Sequence, residues 1–129
     1  MKLRHVFAVN AVVCLLYGTP FAVAPALLLS LYGTPPNGLG LLVARLFGMA
    51  LIAIGAILWK LRTEDEGEAA RALATGLFVA DAVSTVFFTQ AALAGDVNAF
   101  GWTVVGIYGL NSLLFGFFAL RPRPTAAKA

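Results

Sequence analysis

The run from Leu39 to Trp59, LGLLVARLFGMALIAIGAILW, constrains this chain more than any other stretch. A helix across a hydrocarbon core about 30 Å thick needs about 20 consecutive apolar residues, and this run supplies them. One charge, Arg45, lies inside it. An ionised side chain at that depth is costly, so it requires a partner or a water-filled cavity. Three further apolar stretches follow the same pattern, and the spans are predicted at about 6–29, 39–60, 70–94 and 101–120.

With four such stretches in 129 residues, the composition is 60% hydrophobic and 12% charged, with a mean hydropathy of +0.89. Soluble domains average about 45–50% apolar and about 25% charged residues. The chain therefore reads as all-α, a polytopic membrane four-helix bundle forming a single domain over residues 1–124, with 125–129 as a disordered tail. A net charge of +3 is of the sign that nucleic acid attracts. The basic residues flank apolar spans instead of forming a patch, which excludes nucleic acid as a partner and leaves the lipid bilayer.

The first span has features of a secretory signal: a basic start, Met1 to His5, an apolar core, and Ala22-Val23-Ala24 as an AxA-type cleavage site. Pro25 directly after that site, and an apolar run continuing to Leu29, favour a retained helix. Pro20 and Pro25 predict a kink in its second half. Ser30 to Gly38 is a connection rich in Gly, Pro and Asn. In the charged loop Lys60 to Glu68, Thr63 is expected to cap the next helix, with Glu66 completing a capping box. Gly95 to Phe100 reads as a short turn, and Arg121-Pro122-Arg123-Pro124 ends the last helix.

Eight of the nine lysines and arginines lie at the N-terminus, in the second loop or at the C-terminus, and the first and third loops contain none. Positive residues stay on the cytoplasmic side, so both termini are expected in the cytoplasm, in a cell inner membrane. Trp59 and Trp102 then fall at opposite interfaces, as aromatic belts do.

Depth suggests a partner for Arg45. At about 1.5 Å per residue, Arg45 sits roughly 10 Å below the outer end of its helix, and Asp81 lies at a compatible height in the third span. An Arg45–Asp81 pair is the expectation. Tyr17, Thr85 and Asn111 fall at similar depth, giving a polar cluster with a residue from every span; Asn10 is shallower. Helix packing is assigned to Ala44, Gly48 and Gly55 in the second span and to Gly106, Gly109 and Gly116 in the fourth, since small residues let backbones approach closely. The string Leu46-Phe47-Gly48 to Gly55 echoes Ile107-Tyr108-Gly109 to Gly116, and LYGTP occurs at 16–20 and 31–35, but neither repeat is specific.

Ala44-Arg45-Leu46-Phe47-Gly48, Gly55 and Trp59, with a proline late in the first span and a Gly-Thr-Pro loop, resemble small bacterial four-span integral membrane proteins grouped as domains of unknown function. The resemblance covers about a third of the chain. It implies a membrane four-helix bundle and supplies no activity. Small multidrug transporters share the size and span count but carry a membrane-embedded Glu in their first helix; no acidic residue occurs there in this chain.

The chemistry excluded is considerable. A single cysteine, Cys14, rules out an internal disulfide or CxxC pair, and a single histidine, His5, rules out bis-His haem ligation. No metal-ligand cluster, HExxH, GxSxG or phosphate loop is present, so no catalytic residue, metal or cofactor is expected. The leading functional expectation is a non-enzymatic bundle that binds a small molecule or supports another membrane protein, with a homodimer as one form of partner. The alternative is a small transporter or channel subunit using Arg45 and Asp81; a lipid- or quinone-acting enzyme ranks third.

Overall fold

The computed structural model describes residues 2–64 and 67–122. It contains five helices and, among the described residues, no strand: α1 Leu3–Val23, α2 Pro25–Leu31, α3 Gly38–Leu61, α4 Glu68–Ala94 and α5 Gly101–Ala119. All but α2 are long and apolar enough to cross a membrane.

The first expected span is divided. Pro25 lacks an N–H, and its ring clashes with the carbonyl four residues back; at this position α1 ends before it. Ala24 leaves the helical region at φ −130°, ψ 56°, and its N–H closes α1 on the Pro20 carbonyl at 2.8 Å. Pro25 then opens α2 at the first helical position, where the missing donor costs nothing. Pro20 is tolerated within α1.

The next boundary is set by Asn37, whose Oδ1 accepts from Gly40 N–H at 2.7 Å and caps α3. The expected cap at Thr63 is a correction. Helix α4 starts at Glu68 with Gly67 as its N-cap, and Thr63 Oγ1 donates back to the Lys60 carbonyl at 3.0 Å. The turn after α3 therefore uses the hydroxyl before α4 can. Glu66 and the tail 125–129 lie outside the described residues. At its far end α4 closes on Gly95, at φ +80°, whose left-handed geometry brings Asp96 N–H onto the Ala91 carbonyl at 3.0 Å.

The long helices form two antiparallel pairs, α1 with α3 and α4 with α5. Within the first pair the approach is backbone on backbone. A Cβ on Gly48 would lie 2.6 Å from Gly18 O, and one on Gly18 would lie 2.8 Å from Gly48 O. Gly55 sits against Ala11 and Cys14, and Ala44 is buried. In the second pair Gly116 admits the Phe78 ring, and Gly109 faces Thr85 at 3.8 Å. Gly106 corrects the expected glycine face: no atom lies within 4 Å of a Cβ built there. At 100° per residue, Gly106 sits about 60° round the helix from Gly109, enough to leave the contact.

The pairs join at their two ends. At one end, Leu3, Val6, Phe7 and Ala11 of α1, Leu58 of α3, Ala70 and Ala74 of α4, and Phe115 and Phe118 of α5 make one buried cluster. The Phe7 and Phe115 rings are 6.2 Å apart. At the other end the loops latch. Asn98 donates its backbone N–H to Tyr32 O at 3.0 Å and Nδ2 to Leu31 O at 2.7 Å, while the Tyr32 ring packs on Phe100 at 5.2 Å. Helices α3 and α4 do not pack along each other.

Large apolar side chains cover the outside. Leu39, Leu93, Leu113 and Leu120 are 72–76% exposed. Water would not stabilise so continuous an apolar surface, whereas hydrocarbon would.

Candidate functional site

Asp81 lies at the midpoint of α4 and is one of two buried polar residues among those described; the other is Asn10. Its helix presents Ala74, Asp81 and, one turn on, Thr85 to the interior. Phe78 opposite Gly116 and Thr85 opposite Gly109 bracket it, so Asp81 stands level with α5 residues between these glycines. Cys14 of α1 and Tyr108 of α5 are within electrostatic reach of its carboxyl. Asp81 thus lies at mid-helix within reach of α1 of the other pair and of α5 of its own.

Arg45 is not its partner. The residue is exposed on α3, on a face with Leu42, Leu46 and Met49, and no ion pair joins it to Asp81. The expected pair fails because α3 packs on α1 and α4 on α5, so equal depth does not bring the two side chains together. Asp81 makes no side-chain hydrogen bond either. The one side-chain nitrogen or oxygen that is both sealed and unbonded, among the described residues, is Arg62 Nε. Asp81 is thus a buried carboxyl with neither an ion pair nor a side-chain hydrogen bond.

The remaining expected residues divide. Thr85 is half-buried, but its hydroxyl donates to the Asp81 backbone carbonyl at 2.7 Å, and Thr89 repeats that bond one turn later. These hydroxyls satisfy themselves within the helix and leave the carboxyl free. Asn111 is half-buried and shares a helical face with Tyr108 and Phe115. Its level is that of Asp81, with no hydrogen bond between them. Tyr17 lies further towards the loops, in electrostatic reach of Tyr32.

Two residues beside Asp81 were not singled out by depth alone, Cys14 and Tyr108, and Asn10 is the other buried polar residue. Asn10 is buried, donates Nδ2 to the Val6 carbonyl at 3.1 Å, and lies one turn beyond the Phe7–Phe115 contact. That places it within about one turn of Asp81, so it is deeper in the bundle than expected. Tyr108 is fixed by stacking on Phe88 at 5.6 Å. The signal was available as periodicity: Asn10, Cys14 and Tyr17 are spaced i, i+4, i+7 on one helical stripe. Among the described residues no three His, Cys, Asp or Glu gather as a metal site would require.

Outside the transmembrane stretch, burial of Tyr32, with Tyr17 nearby, pushes its phenol up to about 12. The end of the bundle carrying Lys2, Arg4, Lys60, Arg62, Arg71 and Arg121 is basic, and Arg62 lies 3.8 Å over the Trp59 ring.

This architecture is that of a multi-pass helical membrane protein, with one acidic group held between two helix pairs. The chain matches no protein-family model, no curated protein and no solved structure.

Proposed function

We propose that this chain is a non-enzymatic, four-span membrane protein that binds a small cationic ligand, the proton included, at Asp81. One observation carries the reading: a buried carboxyl at mid-helix has no ion pair or side-chain hydrogen bond. Carboxyl groups in hydrocarbon are retained at cost, and partners or ligands offset it. The oxygen-bearing side chains at the same level, those of Asn10, Asn111 and Tyr108, are neutral acceptors suited to a cation. Arg45, which would favour an anion, lies outside this space.

The protein resides in a cell inner membrane with both termini in the cytoplasm. Support comes from the basic residues gathered at the end shared by the start of α1, the end of α3, the start of α4 and the end of α5. Reporter fusions to each terminus and to the Gly95–Phe100 turn test that orientation.

The binding test is thermal unfolding in a neutral detergent across pH, alkali cations, ammonium and small organic amines. A ligand at 100 times its Kd adds about 2.7 kcal/mol of stability. Wild type should gain with at least one such cation and Asp81→Asn should not. Equal gains in the two proteins, or none in wild type, would refute the reading. A small cation transporter is the second reading, favoured by the unpaired carboxyl at mid-helix. It additionally requires Asp81-dependent flux of that cation into liposomes.

A further inference from the structure

A shallow, open depression of about 460 Å³ lies on the surface of the α4–α5 pair, lined among others by Phe78, Leu113, Gly116, Phe117, Leu120 and Arg121. Gly116 carries no side chain there, and a Cβ on it would lie 2.9 Å from the Phe78 ring. Its walls are apolar, and Leu113, Phe117 and Leu120, spaced i, i+4, i+7, are all exposed along it. Only its end is cationic. Arg121 stands there, with its guanidinium 5.7 Å over the Phe117 ring. Arg71 of α4 is tied to the same place, its Nη2 donating to the backbone carbonyl of Arg121. The groove thus runs from Arg121 at the helix end, with Arg71 bonded to its backbone carbonyl beside it, into an apolar slot directed towards mid-helix.

We infer that this groove is a binding site for an anionic diacyl phospholipid, its phosphate at Arg71 and Arg121 and one acyl chain along Leu113, Phe117 and Leu120. The charge pattern selects the occupant. A zwitterionic lipid would fill the slot equally well, but its ammonium would lie beside two guanidinium groups. A free anion could meet the arginines but would leave the slot empty. The two arginines stand where a headgroup lies when the adjoining apolar slot is at hydrocarbon depth, and basic pockets between helices at that level hold anionic headgroups. The site is separate from Asp81, which faces the interior between the helix pairs.

The test is retention of phosphatidylglycerol against phosphatidylcholine of identical chains, by native mass spectrometry of the full chain, with thermal unfolding in the same detergent as a second readout. Each interfacial cation contributes about fivefold in affinity, so Arg71→Gln with Arg121→Gln should weaken phosphatidylglycerol retention roughly thirtyfold and leave phosphatidylcholine nearly unchanged. Leu113→Trp, which fills the slot from an exposed position and leaves both arginines in place, should weaken both lipids. Equal retention of the two lipids by wild type would overturn the assignment. So would selectivity that survives in the double variant, or an equal thermal shift from inorganic phosphate alone. If a variant unfolds before lipid is added, the comparison passes to the single Arg121→Gln protein, whose side chain is exposed and donates no hydrogen bond to the fold. Unchanged selectivity there also overturns the assignment.

Discussion

Adding one methyl group at Gly48 would put a Cβ 2.5 Å from the Ala22 backbone nitrogen and 2.6 Å from the Gly18 carbonyl oxygen. Neither neighbour is the end of a flexible side chain. Ordinary contact begins near 3.4 Å, so α1 and α3 must part by about 0.9 Å to admit the group. Overpacking of this kind costs about 1–3 kcal/mol, and more where backbone must move. The helix itself favours alanine over glycine by about 0.5–1 kcal/mol, which offsets part of the cost. Gly106 supplies the control, because a Cβ there meets nothing within 4 Å. Gly106→Ala should therefore be neutral or slightly stabilising, while Gly48→Ala should fall below it by about 1–3 kcal/mol. Equilibrium unfolding in mixed micelles, or the detergent unfolding temperature, measures the difference. If the two variants are equally stable, the close α1–α3 crossing is wrong and the pairing of helices must be redrawn.

Other consequences are more local. Arg45 and Asp81 do not touch, so a double-mutant cycle with Arg45→Gln and Asp81→Asn should give a coupling energy within about 0.5 kcal/mol of zero; a larger value would restore the direct pair. Tyr32 is held neutral in the fold, with its phenol raised from 10 to about 12. The unfolded chain ionises first, so this contribution is fully present below pH 10 and is lost as pH rises towards 12; Tyr32→Phe should flatten that alkaline decline, and an unchanged profile would place the titration elsewhere. Asn37→Ala removes the α3 cap and should cost about 1 kcal/mol in the same unfolding assay, whereas Asn37→Gly should cost only a few tenths.

The spans were legible because each is a local property. A helix that crosses hydrocarbon satisfies its own backbone, so length and apolarity suffice to locate it. The ends of α4 at Ala94 and of α3 near Lys60 follow from Gly95 and from the charged loop. The first span was legible in extent but not in form, since a proline can kink a helix or end it, and the outcome depends on whether neighbours support the freed backbone. Thr63 shows the same limit on a smaller scale: its hydroxyl had two carbonyl or amide partners within reach, and sequence does not rank them.

The site was legible in its residue types and not in its connections. A charge in an apolar run announces itself, and both Arg45 and Asp81 did so. Depth gives one coordinate of such a residue; azimuth about the helix and the choice of neighbouring helix supply the others. Those depend on which surfaces interlock, and here Gly18 against Gly48 and Gly116 against Phe78 set the pairs α1–α3 and α4–α5. The sequence by itself determined four membrane-length apolar helices and the presence of one acidic group at mid-span, because the bilayer imposes those requirements on each segment separately. Only the tertiary structure decided that Arg45 faces outward and that Asp81 stands between the pairs beside Cys14 and Tyr108, because helix azimuth and partner are fixed by side-chain shape across an interface, which no single segment contains.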